Sequence, residues 1–367
     1  MTSRMGEETT KAEEKDSPSL LHRLGHLGST VGKKAPKKKS TKWIIQGGFA
    51  FLIFAFLVFT VASQWSELRE KGVEFNLLWL LPAIGSMLVY YTLSASVWGL
   101  ILKLMGTPVK PGEAQKIWAQ PLLVRYIPGS VLFVLARVLM AEKVGVPRRI
   151  STASIVYEQA VSIAAALTIA CYFLIAHPDL QDNPLRWVPL FVTPLMVGFL
   201  HPRIFEPVSK RVLTALGREP LPNTMAFSGV ITIYVAYLAL WSVMGLGVYF
   251  AARSVHFLAF SEIATVAASQ MIGFLAAVVS AVTPAGLGVR DAAFAWAVKV
   301  ALPSGSFGVG AAIAIAVRAT QTVVELIYVG VVTLLARRTA NAGDEDVVEL
   351  LHEVQAEEAA IEAAPAD

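Results

Sequence analysis

Apolar residues in this chain come in long unbroken runs separated by short basic stretches. That spacing belongs to membrane-spanning helices. The runs cover residues 43–63, 77–102, 151–176, 186–200, 225–251 and 308–336. Each is read as a helix able to cross a bilayer, which takes roughly 17–25 predominantly apolar residues. Continuous runs, rather than ten-residue alternations, argue against a β-barrel. The shortest, 186–200, carries Pro189 and Pro194 and is expected to kink or to extend past these limits. Two further segments, 115–140 and 263–302, are interrupted, the first at Ile127-Pro128-Gly129 and the second at Thr283-Pro284-Ala285-Gly286-Leu287-Gly288. Pro128, Gly129, Pro284, Gly286 and Gly288 are therefore candidate helix breaks within the membrane.

The charges between the runs decide how the interrupted segments lie, because basic loops stay on the cytoplasmic side. If both enter and leave on one face as re-entrant hairpins, three basic groups fall on one side. These are Lys103, Lys110 and Lys116; Lys143, Arg148 and Arg149; and Arg203, Lys210, Arg211 and Arg218. Arg337 and Arg338 join them, while the opposite side receives only Arg69, Lys71, Arg186 and Arg253. Making only one hairpin a full crossing would put later basic loops outside. The expected fold is an all-α polytopic membrane protein with about six spanning helices and two broken re-entrant hairpins. One hairpin enters from each face, the relation found in inverted repeats, whose sites lie near the midplane.

Composition agrees with this pattern. Of 367 residues, 55% are hydrophobic and only 16% charged, with a mean hydropathy of +0.58, against about a quarter charged in soluble domains. The single cysteine, Cys171, lies in an apolar run and can form no disulfide within one chain. Three regions are expected. Residues 1–42 form a polar arm rich in lysine near its end, expected to be disordered and cytoplasmic. Its lysines suit an anionic leaflet or simply anchor the topology. Residues 43–338 form the membrane domain. Residues 339–367 form an acidic, alanine-rich cytoplasmic tail, in which Val347, Val348, Leu350, Leu351 and Val354 could make a short amphipathic helix. Nothing at the N-terminus has the pattern of a cleavable signal peptide, and the expected location is the plasma (inner) membrane.

No phosphate-binding glycine loop or dinucleotide fingerprint is present, and no histidine has metal-ligand spacing. No cofactor, metal or nucleic-acid partner is expected. The informative residues are ionisable ones inside apolar segments, where an unpaired charge costs at least about 2.5–3.5 kcal/mol and so faces a cavity or a partner. They are Arg125, Arg137, Glu158, Arg290, Asp291, Lys299, Arg318 and Glu325. Arg125, Arg137, Arg290 and Arg318 are candidates for holding an anionic lipid head group, since guanidinium forks match phosphate and a helix N-terminus adds backbone donors. Glu158, Asp291 and Glu325 are the counter-charges. The competing reading is internal neutralisation, with Arg137 or Arg125 against Glu158 and Arg318 against Glu325. Lys299 and Arg125 could instead snorkel to an interface.

At these residues the chain resembles the lysylphosphatidylglycerol synthase transmembrane family, also described as flippase-like. The resemblance rests on Arg125-Tyr126-Ile127-Pro128-Gly129, then Arg137, Ser154, Val156 and Glu158, and on Pro284-Ala285-Gly286-Leu287-Gly288-Val289-Arg290-Asp291. The family more usually has glutamate where Asp291 stands. The resemblance spans about residues 43–338 and implies a helical domain that moves lipids or lipid-linked precursors between leaflets. Relatives that aminoacylate phosphatidylglycerol carry a large soluble domain, and only a short acidic tail follows the membrane part here, so that activity is not expected.

The leading expectation is a translocase for an anionic phospholipid or a polyprenyl-phosphate-linked precursor. The alternatives are a membrane-embedded transferase, with Glu158 or Asp291 as its base, and an accessory subunit of a cell-envelope glycan or lipid synthesis complex. Its partners would be lipids, another copy of the chain or a biosynthetic enzyme.

Overall fold

Among the described residues, an apolar run with no proline beyond its first turn forms one long helix, and where prolines recur the chain forms short helices joined by turns. The computed structural model describes residues 76–126, 130–176, 182, 184–215, 220–221, 224–280, 288–302 and 307–339. The run 43–63, the arm 1–42, the tail beyond Thr339 and the break residues Pro128, Gly129, Pro284 and Gly286 lie outside them.

Ten α-helices occur among the described residues, and no strand. They are α1 (Leu80–Leu104), α2 (Pro111–Ala119), α3 (Ser130–Lys143), α4 (Arg148–Ala176), α5 (Val188–Phe199), α6 (Pro202–Ala215), α7 (Phe227–Arg253), α8 (Ile263–Ser280), α9 (Val289–Ala301) and α10 (Phe307–Thr339). Five stretches are long and apolar enough to cross a membrane: Leu77–Leu104, Arg148–Ile175, Phe227–Arg253, Phe260–Val279 and Gly308–Ala336. Helices α5 and α6 are long and apolar enough only when taken together, and they are bent by 70° at their junction, as in a broken span or a re-entrant loop. The protein is an all-α polytopic membrane protein.

Packing shows the same class from the outside. Val279, Leu195, Phe191 and Leu81 are more than two-thirds exposed, while Arg137, Glu158, Gln270, Gln321 and Glu325 are buried. An apolar exterior round a polar interior suits a hydrocarbon solvent. Hydroxyls on the helices are satisfied locally: Thr92, Ser96, Ser242 and Thr320 each donate to the carbonyl four residues earlier.

Helices α1 and α7 form the central pair, with α4, α8 and α10 round them and α9 between α8 and α10. Two glycines stop helices at one end of this bundle. Gly106 and Gly145 adopt φ near +90°. Their own N–H groups and the next residue's close the last turns of α1 and α3, with Thr107 donating to Leu102 O and Val146 to Ala141 O. Lys103, Lys110, Lys143, Arg148 and Arg149 gather at these turns.

The two interrupted segments differ. In the first, α2 has nine residues and gives way at Pro121 to a 3-10 stretch, Gln120–Tyr126, and α3 has fourteen. Proline cannot donate to the α ladder, so the α pattern ends there. No arm reaches the ~30 Å of a bilayer core at 1.5 Å per residue. In the second, α8 is free of proline and charge and is long enough to cross alone, whereas its return, α9, has thirteen residues. The connection 201–224, expected as a basic loop, contains a regular helix, α6.

Candidate functional site

Two carboxylates stand at mid-depth in the bundle. At 1.5 Å per residue, Glu158 lies about 15 Å from the start of α4 at Arg148, and Glu325 about 21 Å from the end of α10 at Thr339. Both are buried.

Glu158 faces Arg137 across the α3–α4 hairpin. Nη1 of Arg137 lies 2.7 Å from Oε2 of Glu158, with side-chain exposures of 1% and 4%. The other oxygen of Glu158 accepts from Trp118 Nε1 at 2.9 Å and from the Tyr237 hydroxyl at 3.1 Å. The carboxylate is thus held from α2, α3 and α7 at once. Arg137 is held by rings as well: its guanidinium carbon lies 4.8 Å from the Trp98 ring centre and 5.9 Å from that of Phe133. Trp98 is fixed in turn by its Nε1 donating to Ser154 Oγ at 3.1 Å, and Ser154 donates to Ser151 O. Arg137 nevertheless keeps donors in hand. Its Nε and Nη2 are buried and have no hydrogen-bond acceptor among the described residues.

Glu325 is reached from α1, where the Tyr91 hydroxyl donates to its Oε1 at 2.5 Å. Tyr91 stacks on Tyr328 at 5.6 Å and stands 6.0 Å from Trp118. The Tyr328 hydroxyl donates to Gln115 Oε1 at 2.6 Å, and the amide of Gln115 donates to Thr92 O and Ser96 Oγ. Trp118 therefore touches both centres, through its indole N–H at Glu158 and its ring against Tyr91. One turn before Glu325, Gln321 accepts from Arg290 Nη2 at 2.8 Å.

Arg290 sits in the first turn of α9, directly after the break. Gly288, at φ +84°, is the N-cap residue of that helix. The turn packs hard against α8 because residue 273 is glycine: a Cβ there would lie 2.8 Å from Arg290 O and 3.0 Å from Phe294 Cβ. Asp291, half-buried in the same turn, places its negative charge at the positive end of the α9 dipole.

Of the candidate residues, the structure joins Arg137 to Glu158 directly and sets Arg290, through Gln321, one turn from Glu325. The Arg318–Glu325 ion pair of the competing reading does not form. Arg318 is half-buried and has no ion-pair partner among the described residues. Lys299 is exposed in the last turn of α9. Arg125 falls in the 3-10 stretch and is placed by its backbone alone. Counting ionisable residues overlooks the neutral half of the site: Tyr91, Trp98, Gln115, Trp118, Tyr237, Gln321 and Tyr328. Their signal was available as tyrosine, tryptophan and glutamine inside apolar runs, since such groups seek a polar partner when buried.

A helical bundle with an apolar exterior and a buried, aromatic-walled charge network defines a polytopic membrane protein with a polar site inside its helical bundle. Residues 44–328 match the family described as Lysylphosphatidylglycerol synthase TM region, and the chain belongs to that family. No curated protein and no solved structure matches it.

Proposed function

We propose that this protein moves an anionic lipid, either a phospholipid or a polyprenyl-phosphate-linked precursor, across the plasma membrane, with both termini cytoplasmic. One observation carries this reading: deep in the bundle Arg137 turns a single nitrogen to Glu158, while its Nε and Nη2, like Oε2 of Glu158, have no hydrogen-bond partner among the described residues. Leaving buried donors unmet costs about 1–3 kcal/mol each, and more on a charged group. An anionic oxygen arriving beside Glu158 would meet those donors, and a phosphate suits the guanidinium fork. Arg290 and Arg318 would extend the cationic path along α9 and α10, and Arg125 would lie at the first break. Glu158, Asp291 and Glu325 keep the empty site near neutrality. Family membership supports a membrane-lipid role.

The test is movement of fluorescent phosphatidylglycerol between leaflets of vesicles holding the purified chain, followed by dithionite bleaching. The wild type should expose inner-leaflet probe faster than empty vesicles. The double variant Arg137→Met with Glu158→Leu removes the pair without stranding a charge, so it should fold and lose the activity. Wild-type rates in that folded variant would reduce the pair to a structural brace and overturn the proposal. A wild-type chain that moves no lipid in this assay would do the same for the phospholipid reading and shift the search to polyprenyl phosphates.

A further inference from the structure

Helix α6 combines an exposed apolar stripe with exposed basic residues. Ile204, Val208 and Val212 recur every fourth residue and are exposed by 47%, 39% and 52%. That spacing puts them on one side of a helix. Arg203, Lys210 and Arg211 are exposed, with Glu206 as the only acidic residue of the helix. Lys210 and Arg211 line a shallow groove of about 550 Å³ together with Pro207, Thr214 and Ala215.

The position of α6 is fixed at one end of the bundle. It turns 70° away from α5. At its start, the His201 ring lies 4.8 Å from Phe227, the first residue of α7. Beyond its end, Pro220 O accepts from Arg149 in the first turn of α4. Phe205 is its single buried side chain and reaches inward to Tyr157, ring centres 4.6 Å apart. Phe205 thus pins α6 across the end of the bundle, and its apolar stripe and basic residues are exposed among the described residues.

From this geometry we infer that α6 is an interfacial helix that seats on the anionic leaflet. Its Ile204, Val208 and Val212 stripe enters the acyl boundary, and Arg203, Lys210 and Arg211 engage phospholipid head groups. Charge complementarity selects this occupant. An apolar face alone would sit equally well in a neutral bilayer or against another protein, but three cations to one carboxylate favour a negative surface. Lys210 and Arg211, flanking a groove with apolar walls, suit a phosphate held above acyl chains. The surface lies apart from the buried Arg137–Glu158 centre, so it stands whether or not that centre carries a lipid.

The experiment uses the full chain with Cys171→Ser and a nitroxide attached through a single cysteine at position 204, 206, 208 or 212. The proteins are reconstituted into vesicles of phosphatidylcholine alone or of phosphatidylcholine and phosphatidylglycerol at three to one. Labels at 204, 208 and 212 should be relaxed mainly by oxygen, and the label at 206 mainly by a water-soluble nickel chelate. Phosphatidylglycerol should drive the three stripe labels several ångströms deeper, toward the roughly 5–10 Å typical of interfacial helices. Each cation near an anionic surface contributes about fivefold to attraction, so Lys210→Ala with Arg211→Ala should abolish most of the added depth. Equal label depth in the two vesicle types would overturn the inference. So would stripe labels reached by neither reagent, which would show the face covered by protein.

Discussion

Each broken segment sets an arginine after its break, yet the two arginines meet opposite surroundings. Arg137, on α3, is buried against a carboxylate and two aromatic rings. Arg290, on α9, is half-buried and donates to the neutral amide of Gln321, while the nearby carboxylate of Glu325 takes a tyrosine hydroxyl. The first centre sets cation and anion side by side; in the second, Arg290 meets Gln321, one helical turn from Glu325. The lesson is that the same kind of residue after the same kind of break can meet a carboxylate directly in one half and a neutral amide in the other. The helices show why. Arg137 and Glu158 lie on the adjacent helices of one hairpin, so a four-residue turn brings them together. Arg290 and Glu325 lie on helices of unequal length, and Gln321 rather than Glu325 occupies the register that faces Arg290.

The sharpest way to break this comparison is to remove the carboxylate of the first centre. Glu158→Ala leaves the charge of Arg137 buried without a partner and should cost about 3–5 kcal/mol. The expected result is a large fall in the thermal unfolding midpoint of detergent-purified protein, mostly recovered when Arg137→Met is added. An unchanged midpoint for Glu158→Ala would show that the pair does not brace α3 against α4. The second centre should respond less. Tyr91→Phe deletes one hydrogen bond to a buried carboxylate, about 1.5–3 kcal/mol, and the same unfolding measurement should place it between the wild type and Glu158→Ala. A loss matching that of Glu158→Ala would mean that the two centres are not so different. The smallest effect belongs to Glu142→Gln, which removes the 2.7 Å ion pair with Arg148 at the end of the hairpin. Both partners are substantially exposed there, so the cost should stay within about 1 kcal/mol and shrink further in high salt.

Much of the fold was legible before any coordinates. The long runs with no proline beyond the first helical turn became α1, α4, α7 and α10 within a few residues of their expected limits, because hydropathy reads the solvent directly. A counter-charge for Glu158 was half legible: the competing reading set it against Arg137 or Arg125, and the structure pairs it with Arg137. Three things were not. Helix α6 was hidden by Pro202, Pro207 and three scattered basic residues, although Ile204, Val208 and Val212 already held the four-residue spacing. Residues 263–280 were read as one arm of a re-entrant hairpin, yet α8 alone is long enough to cross. Finally, that Tyr91 serves Glu325 and Trp118 serves Glu158 depends on which helices become neighbours. The residues are separated by 234 and 40 positions in the chain, and no local pattern encodes such a meeting.

The indoles around the first centre have a further use. Trp98, Trp118 and Trp241 are buried, and their N–H groups are committed to Ser154, Glu158 and the carbonyl of Ser162. Trp187 and Trp296 instead lie on the outside of the bundle. Brominated acyl chains would darken the outer pair and leave the inner three emitting. Because the cation of Arg137 lies over Trp98, any anion that draws the guanidinium away would change the colour and yield of that inner emission. The protein thus contains an optical readout of its own interior, and occupancy of the site can be followed in a cuvette without attaching a dye.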